Sequence, residues 1–427
     1  MPNPLRVRRQ APPRLVLAAC AVLLTAVGFD TAAADALTLP GALARAAAYD
    51  PTRPAIAARV DAAKASVRQA GVRPNPSLGV DLENFAGTGD HSLLDRSEAT
   101  VYYQQTWERG GKREARTGVA QAELTLARGR GAVRALDLFA EVQAAWVEAL
   151  AAEASITVAE ERLTVAERLE REVARRVSAA RDPLFAGERA RTALAQARIA
   201  KDQAVETSRQ ARAALAAFWA GGPDFELDPA SLERTDLAAP GPLADTPDLA
   251  LLAAERDAAA ARIRLERARA VQDPTWRASL RHFGDSNDVA VIVGGSIPLG
   301  RYDTNRGNIE RAQAERTAAE VDIAAARIER EREVARLTAR RSASLAEARR
   351  IDAEVLPSAE RAVAMVRDGF NRGGGAFTYL EVAEAQRAVV DAKARRIDLL
   401  KSFHLDRARL DRLSGRHVSF IASAEIR

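Results

Sequence analysis

The chain has 427 residues, with 63 Lys or Arg against 58 Asp or Glu, so its formal net charge is +5 and its pI is about 9.6. At about 150 residues per domain, this length predicts two or three domains. Aromatic residues make up 5% of the chain and Cys20 is its single cysteine, which excludes a disulfide framework. The basic excess alone would suggest a nucleic-acid partner, but most of it lies in the first residues.

The N-terminal segment has the features of a secretory signal peptide. Four arginines between Arg6 and Arg14 precede an apolar run over 15–29, and an alanine triplet follows at 32–34. We therefore predict that residues 1–34 are a signal peptide, whose removal leaves 59 basic and 57 acidic side chains and no cysteine. Residues 17–20 also read as a lipobox (LAAC), which would leave Cys20 as a lipidated N-terminus. Ordinary cleavage is preferred because the apolar run continues past Cys20.

Residues 35–220 read as a first unit made of a helix, a strand hairpin over 76–107, a long helix, a tip turn and a return helix. Residues 113–179 lack proline and consist mainly of strong helix formers. As one helix they would extend about 100 Å. A helix of that length with alanine in its apolar stripe predicts a helical partner in a coiled coil. Taken alone, the segment is equally typical of a solvated coiled-coil rod.

The predicted strands alternate apolar and polar residues, which is typical of strands with one buried face. Arg277, Arg281, Asp81 and Glu83 would all lie on one face, as in a water-filled barrel, whereas a small soluble sheet packed on helices is the alternative. Each strand has the length that a tilted strand needs to cross a bilayer. The candidate membrane-interface aromatics lie toward the strand ends: Phe85, Tyr102, Tyr103, Trp107, Trp276 and Phe283.

The second half of the chain repeats the order of the first. Residues 73–78 (RPNPSL) correspond to 271–276 (VQDPTW), and 107–111 correspond to 297–301, each pair about 190–200 residues apart by count along the sequence. Residues 221–245 form a Pro- and Gly-rich linker. Residues 246–415 form the second repeat, with a strand hairpin over 274–298, and residues 416–427 form a C-terminal tail. We therefore predict two tandem repeats in one body rather than separate domains.

Four strands per chain have a consequence for assembly if they lie in a membrane. Open sheet edges are not tolerated in lipid, and the smallest transmembrane barrels have about eight strands. The chain must then oligomerise, with two chains supplying eight strands and three chains supplying twelve.

Three stretches resemble a known family. Residues 73–85 read RPNPSLGVDLENF, residues 104–113 read QQTWERGGKR, and residues 377–387 read FTYLEVAEAQR. The first two resemble the first hairpin of TolC-type outer-membrane efflux proteins, and more narrowly the branch that serves cobalt–zinc–cadmium efflux. The third resembles the tip of the second repeat in the wider family.

The resemblance implies a mainly α fold with a small β part: a homotrimer that closes a 12-stranded barrel in the outer membrane and a long α-helical barrel in the periplasm. It implies a periplasmic adaptor and a proton-driven inner-membrane pump of the RND type as partners, and outer-membrane lipid as surroundings. The implied function is export of heavy-metal cations. The alternatives are a duct for drugs, organic solutes or secreted proteins, and a periplasmic adaptor or structural protein.

The resemblance also implies site residues. Glu381 and Glu384 match acidic residues that ring the periplasmic constriction, and the alternative for both is a solvated position near a helix N-terminus. Departures from the family pattern lie in the tip turns, where Ala180 stands at a usual glycine position. The predicted adaptor-docking tips are Ala180, Asp182, Pro183, Gly373, Gly374 and Gly375.

No constellation typical of an enzyme, a cofactor site or a metal site is present in the sequence. The four histidines are widely spaced: His91, His282, His404 and His417. Residues 110–113 (GGKR) lack the Ser or Thr of a phosphate-binding loop. Basic side chains are spread along the helices among acidic ones, which argues against nucleic-acid binding.

Overall fold

The computed structural model describes residues 36–89, 96–237, 246–372 and 378–418, which are mainly helical. The predicted signal peptide, most of the predicted tail and the glycines Gly373, Gly374 and Gly375 lie outside the described residues. In the first half, helices α1 and α2 precede two strands, and helices α3 and α4 follow them. Their bounds are α1 Leu39–Tyr49, α2 Arg53–Ala70, β1 Ser77–Glu83, β2 Glu98–Thr106, α3 Lys112–Ser178 and α4 Leu184–Ala216.

The second half follows a similar order, except that one described helix precedes its strands instead of two and that its long helix is interrupted once. Its bounds are α5 Pro247–Arg269, β3 Thr275–Phe283, β4 Val289–Ser296, α6 Arg306–Arg350, a π-helical turn Ile351–Val355, α7 Leu356–Arg372 and α8 Tyr379–Ser414. Helix α3 has 67 residues, and α6, the π turn and α7 together also span 67 residues, 306–372. The expectation of a mainly helical chain with a small β part is confirmed.

The four strands form one antiparallel sheet in the order β1-β2-β3-β4. Strands β1 and β4 are therefore its edges. The central pair, β2 with β3, joins the two halves of the chain, with Glu98 opposite Phe283 and Thr106 opposite Thr275.

The main core lies where α1, the middle of α3 and the C-terminal half of α8 meet residues 221–237, which we call the strap. The strap contains the short 3₁₀ helix Pro229–Ser231 and contributes the buried side chains Leu227 and Leu232. The Leu37 N–H donates to the Glu226 carbonyl over 2.7 Å. The largest fully buried side chains of this core include Leu43, Phe139, Leu150, Leu215 and Leu232.

Elsewhere the helices pack through small residues. Ala149 on α3 and Ala197 on α4 are fully buried, and Ala258, Ala261 and their neighbours fill the same role on α5. Because alanine lets two helix axes approach closely, long helices can pair without a wide core of large side chains. This accounts for the low aromatic content.

Within the four described stretches, no helix is long and apolar enough to cross a membrane.

Candidate functional site

One face of the sheet is apolar and exposed. Residues directly opposite in an antiparallel pair share a face, so Val80, Val101, Leu280 and Val291 form one row across all four strands. The large apolar residues of this face are 45–76% exposed: Leu78, Val80, Leu82, Val101, Tyr103, Trp276, Leu280, Val289, Val291 and Val293. A contiguous apolar surface of this size marks an interaction surface rather than a water-facing one.

The opposite face of the sheet is charged, as the alternation predicted. Arg277 on β3 pairs with Asp81 on β1 over 2.6 Å. Arg281 pairs with Glu83 over 2.8 Å and with Glu98 over 2.7 Å. The pairs with Asp81 and Glu83 span β1 to β3, strands that are not direct neighbours, whereas the pair with Glu98 joins the neighbouring strands β2 and β3.

Tyr102 lies on the charged face of the sheet and packs against its neighbours on both adjacent strands. The Arg277 guanidinium carbon lies 3.6 Å from the centre of the Tyr102 ring, a cation–π contact. On β1, a Cβ atom at Gly79 would lie 2.3 Å from the Tyr102 ring, so any other residue there would displace the ring from this position. The register also assigns Phe283 to this face, whereas it places Tyr103 and Trp276 on the apolar face. Phe85 and Trp107, just outside the strands, are both exposed.

The far end of the helices forms a second candidate site, the tip, where α3, α4, α7 and α8 meet. Arg176 near the end of α3 binds both carboxylate oxygens of Asp182, over 2.8 and 3.0 Å. The same guanidinium donates to the Phe370 carbonyl over 2.7 Å and lies 4.2 Å from the centre of the Phe370 ring. Hydrogen bonding to Asp182 raises the pKa of Arg176 above its ordinary value. This one side chain therefore joins the first helical pair to the second.

The predicted docking residues of the first tip turn have different surroundings. Ala180 and Pro183 are exposed, whereas the Asp182 side chain is 14% exposed and is engaged by Arg176. Sequence reasoning missed Leu184 and Phe185, which follow the turn and are 81% and 63% exposed. An apolar pair directly after Asp-Pro at a helix start was the available signal.

Glu381 lies in the first turn of α8 and forms a capping box. Its carboxylate accepts from the Thr378 N–H over 2.8 Å and from the Thr378 hydroxyl, while the Thr378 hydroxyl accepts from the Leu380 N–H. These hydrogen bonds lower the pKa of Glu381. Glu381 thus has a structural role at the helix start, which supports the alternative interpretation for this residue.

Glu384 lies one turn further along α8 and is exposed. Its carboxylate has no hydrogen-bond or ion-pair partner among the residues that the structure describes. Of the two glutamates, Glu384 is the one whose carboxylate is not engaged within the described part of the chain.

Within the described stretches, no group of three or more His, Cys, Asp or Glu side chains is arranged to bind a metal ion. His282 bonds Asn287 over 2.9 Å, His404 donates to the Leu232 carbonyl over 2.8 Å, and His417 bonds Gln143 over 3.0 Å. His91 lies outside the described residues.

Residues 242–416 match the family described as outer membrane efflux protein. The cobalt-zinc-cadmium resistance protein CzcC of Cupriavidus metallidurans is 30% identical over 400 residues, which cover 91% of this chain and 92% of CzcC. The nickel and cobalt resistance protein CnrC of the same organism is 30% identical over 309 residues, or 70% of this chain and 72% of CnrC.

The fold is also similar to a solved structure. The outer membrane protein VceC of Vibrio cholerae aligns with a TM-score of 0.68 at 20% identity, over 88% of this chain and 96% of VceC. At this identity the likeness concerns the fold alone.

Proposed function

The chain belongs to the outer membrane efflux protein family, and we propose that it is the exit duct of a tripartite, proton-driven system that exports heavy-metal cations. It is located in the outer membrane with a large periplasmic part, and it is not an enzyme. In this proposal three chains form the duct, a periplasmic adaptor docks at the tips, and an inner-membrane pump of the RND type supplies the energy.

The two-faced sheet is the observation that carries the proposal. Its exposed apolar face fits contact with lipid tails, and its charged face fits a water-filled lumen. Within one chain the edge strands β1 and β4 each pair with one described strand and leave their outer edge unpaired among the described strands. If β4 of one chain pairs with β1 of the next, three chains supply twelve strands and no edge remains in the lipid.

The position of the two long helical segments, each directly after a strand hairpin, supports the two-repeat organisation. The 67-residue helix α3 and the 67-residue segment 306–372 begin at corresponding places after their hairpins. Such segments can alternate around a ring, so three chains would supply six equivalent positions in a helical barrel.

The proposed cargo is supported by the relatives and not by a resident site. CzcC and CnrC are named for resistance to cobalt, zinc, cadmium and nickel. A duct needs no metal-binding cluster, because cations pass along it and affinity would slow their exit. The constriction is assigned to three copies of Glu384, where converging carboxylates attract cations and repel one another.

Two neighbouring residues of β4 provide a sharp test of the lipid-facing assignment. Val293→Arg places a charge on the apolar face, where it costs about 2–4 kcal/mol near the bilayer midplane. Ile292→Arg places the same charge on the opposite face and is the matched control. We expect Val293→Arg, but not Ile292→Arg, to reduce the amount of detergent-extracted trimer in the outer-membrane fraction. Equal amounts for both variants would contradict the assignment.

The cargo is tested separately in a deletion strain. We expect loss of the protein to lower the tolerated concentration of Zn²⁺, Co²⁺ or Cd²⁺, with tolerance restored by the wild-type chain. Tolerance of organic cations such as ethidium should stay unchanged. Sensitivity to ethidium with normal metal tolerance would indicate that the cargo is organic and not a metal ion. It would not contradict the proposal that the chain is an exit duct.

A further inference from the structure

The charged face of the sheet carries unequal numbers of acidic and basic groups. Within the four described strands it has three carboxylates and two guanidinium groups, those of Asp81, Glu83, Glu98, Arg277 and Arg281. Strand β4 adds no charged residue. The net charge of this face is therefore −1 per chain, and the loss of either arginine would make it −2.

Arg281 pairs with both glutamates at the end of the sheet away from the helices. Glu83 and Glu98 are directly opposite each other on β1 and β2, and like charges in this arrangement repel. The Arg281 guanidinium lies 2.8 Å from Glu83 and 2.7 Å from Glu98, and its Nε atom donates to the Thr100 hydroxyl over 3.0 Å. One cation therefore compensates two carboxylates that would otherwise face each other without it.

Arg277 is held along the surface of the sheet. Its side chain starts on β3, passes over the Tyr102 ring of β2 with 3.6 Å between the guanidinium carbon and the ring centre, and reaches Asp81 on β1 over 2.6 Å. Thr100 and Ser279, on the same face, are only 1% and 6% exposed. The two arginine side chains therefore cover the sheet and stay close to its carboxylates.

We propose that Arg277 and Arg281 are specificity-determining residues of the exit: they keep the potential of the barrel lumen weakly negative, so that divalent cations enter it without being retained. This inference rests on the proposed duct, because the charged face lines water only when three chains close a barrel. The remaining negative charge attracts cations. The ion pairs meanwhile occupy the carboxylate oxygens that would otherwise coordinate a divalent ion, and rapid exit requires weak binding.

The loss of one arginine has different consequences at the two positions. Removal of either changes the net charge by the same amount. Without Arg281, the carboxylates of Glu83 and Glu98 face each other across neighbouring strands, and paired carboxylates are typical ligands of divalent cations. Without Arg277, Asp81 alone loses its partner. Retention of divalent cations should therefore increase more when Arg281 is removed.

Reversal potentials in planar bilayers of neutral lipid, under a KCl gradient, test the charge selectivity. The parent chain and all variants carry Glu384→Gln, so that the tip does not dominate the result. We expect Arg281→Gln to raise the K⁺ to Cl⁻ permeability ratio about twofold and Glu98→Gln to lower it about twofold, because the two changes shift the net charge in opposite directions. Arg281→Lys keeps the charge and is the matched control, with the ratio of the parent.

Co²⁺ added on the barrel side of the same bilayers tests retention. We expect Arg281→Gln to be blocked at a Co²⁺ concentration about tenfold lower than the parent, and Arg277→Gln at a concentration between the two. Arg281→Lys should be blocked at the concentration that blocks the parent, because a cation still lies near the two glutamates.

Three results would overturn the role of the arginines: a permeability ratio in Arg281→Gln equal to that of the parent, shifts of the same sign in Arg281→Gln and Glu98→Gln, or equal Co²⁺ block in Arg281→Gln and Arg281→Lys. If Arg281→Gln does not assemble, Glu98→Gln decides, because it removes no cation from the sheet. Unchanged selectivity in conducting variants would leave the duct itself in place. Absence of conductance in the wild-type protein would contradict the duct.

Discussion

At the scale of single residues, Glu381 and Glu384 lie one turn apart on α8 and differ in what surrounds their carboxylates. The first accepts hydrogen bonds at the helix start, and the second faces solvent. The resemblance assigned both to a constriction ring. In this arrangement only Glu384 can change its interactions without disturbing the start of α8.

We expect Glu384→Gln to reduce block by divalent cations in planar bilayers by about tenfold, because three converging charges are removed. Glu381→Gln should leave block within about twofold of the wild type, since its carboxylate serves the capping box. Single-channel recording with added Co²⁺ measures both. If Glu381→Gln has the larger effect, the ring is assigned to the wrong glutamate.

His404 makes stability depend on pH. Burial, with Arg407 and Arg341 nearby, lowers its pKa in the folded chain. As pH falls below about 6.5, the ordinary pKa of histidine, the unfolded chain binds a proton that the folded chain does not, so stability decreases. The decrease ends once pH falls below the lowered folded-state pKa.

We expect the melting temperature of the detergent-solubilised protein to fall between pH 7.5 and pH 5.5. His404→Gln keeps an N–H near the Leu232 carbonyl but does not titrate, so its melting temperature should fall less. His417, whose pKa burial also lowers, accounts for part of the remaining slope. An identical pH dependence in wild type and variant would contradict this role for His404.

At the scale of elements, the turn between α3 and α4 contains a strained residue. Ala180 has a φ of 53°, in the left-handed region that costs a non-glycine residue roughly 1–2 kcal/mol. We expect Ala180→Gly to stabilise the turn by about 1 kcal/mol, which slows hydrogen exchange of the Ala180 and Arg181 amides about fivefold. Ala179→Gly is the control, because Ala179 has a φ of −84° and gains nothing from glycine. Equal effects of both changes would show that the turn is not strained.

Much of the element structure could be predicted from local patterns. Alternation in the strands assigned Asp81 and Arg277 to the same face, because a period of two does not depend on distant contacts. The long helices followed from composition and the lack of proline. The tip was harder, because the pairing of Asp182 with Arg176 depends on rotamers that spacing does not specify. The capping box had a signal in the sequence, the Thr-x-x-Glu spacing of Thr378 and Glu381, which the family resemblance overshadowed. Pro357 signalled a break in the helix, but the type of turn arises only from packing.

At the scale of the whole molecule, an ionic network joins four helices. Arg412 on α8 binds Asp248 on α5 over 2.6 and 2.9 Å and Asp137 on α3 over 2.7 Å. Arg330 on α6 is 3.2 Å from Asp248. Burial opposes ionisation of Asp248, but the two arginines hold its pKa below the ordinary value.

We expect Asp248→Ala to destabilise the chain by about 2 kcal/mol, because it leaves two partly buried guanidinium groups without this partner. Asp257→Ala is the control: Asp257 lies on the same helix and pairs with Arg256 at the surface, where such pairs contribute at most about 1 kcal/mol. Thermal unfolding of both variants measures the difference. Equal melting temperatures would show that the network contributes little.

The central strand pair determines the order in which the molecule can be completed. Each hairpin is local in sequence, but β2 must wait for β3, and Glu98 lies 185 positions before its partner Phe283. A chain that emerges N-terminus first therefore presents its first hairpin, with an apolar face and an unfilled edge, long before the second hairpin arrives. During this interval, incorrect pairing of the first hairpin competes with assembly of the four-stranded sheet. Slowing the export of the second half should increase the fraction of protein that is lost to aggregation or proteolysis. This increase should exceed the one caused by a substitution within the finished sheet.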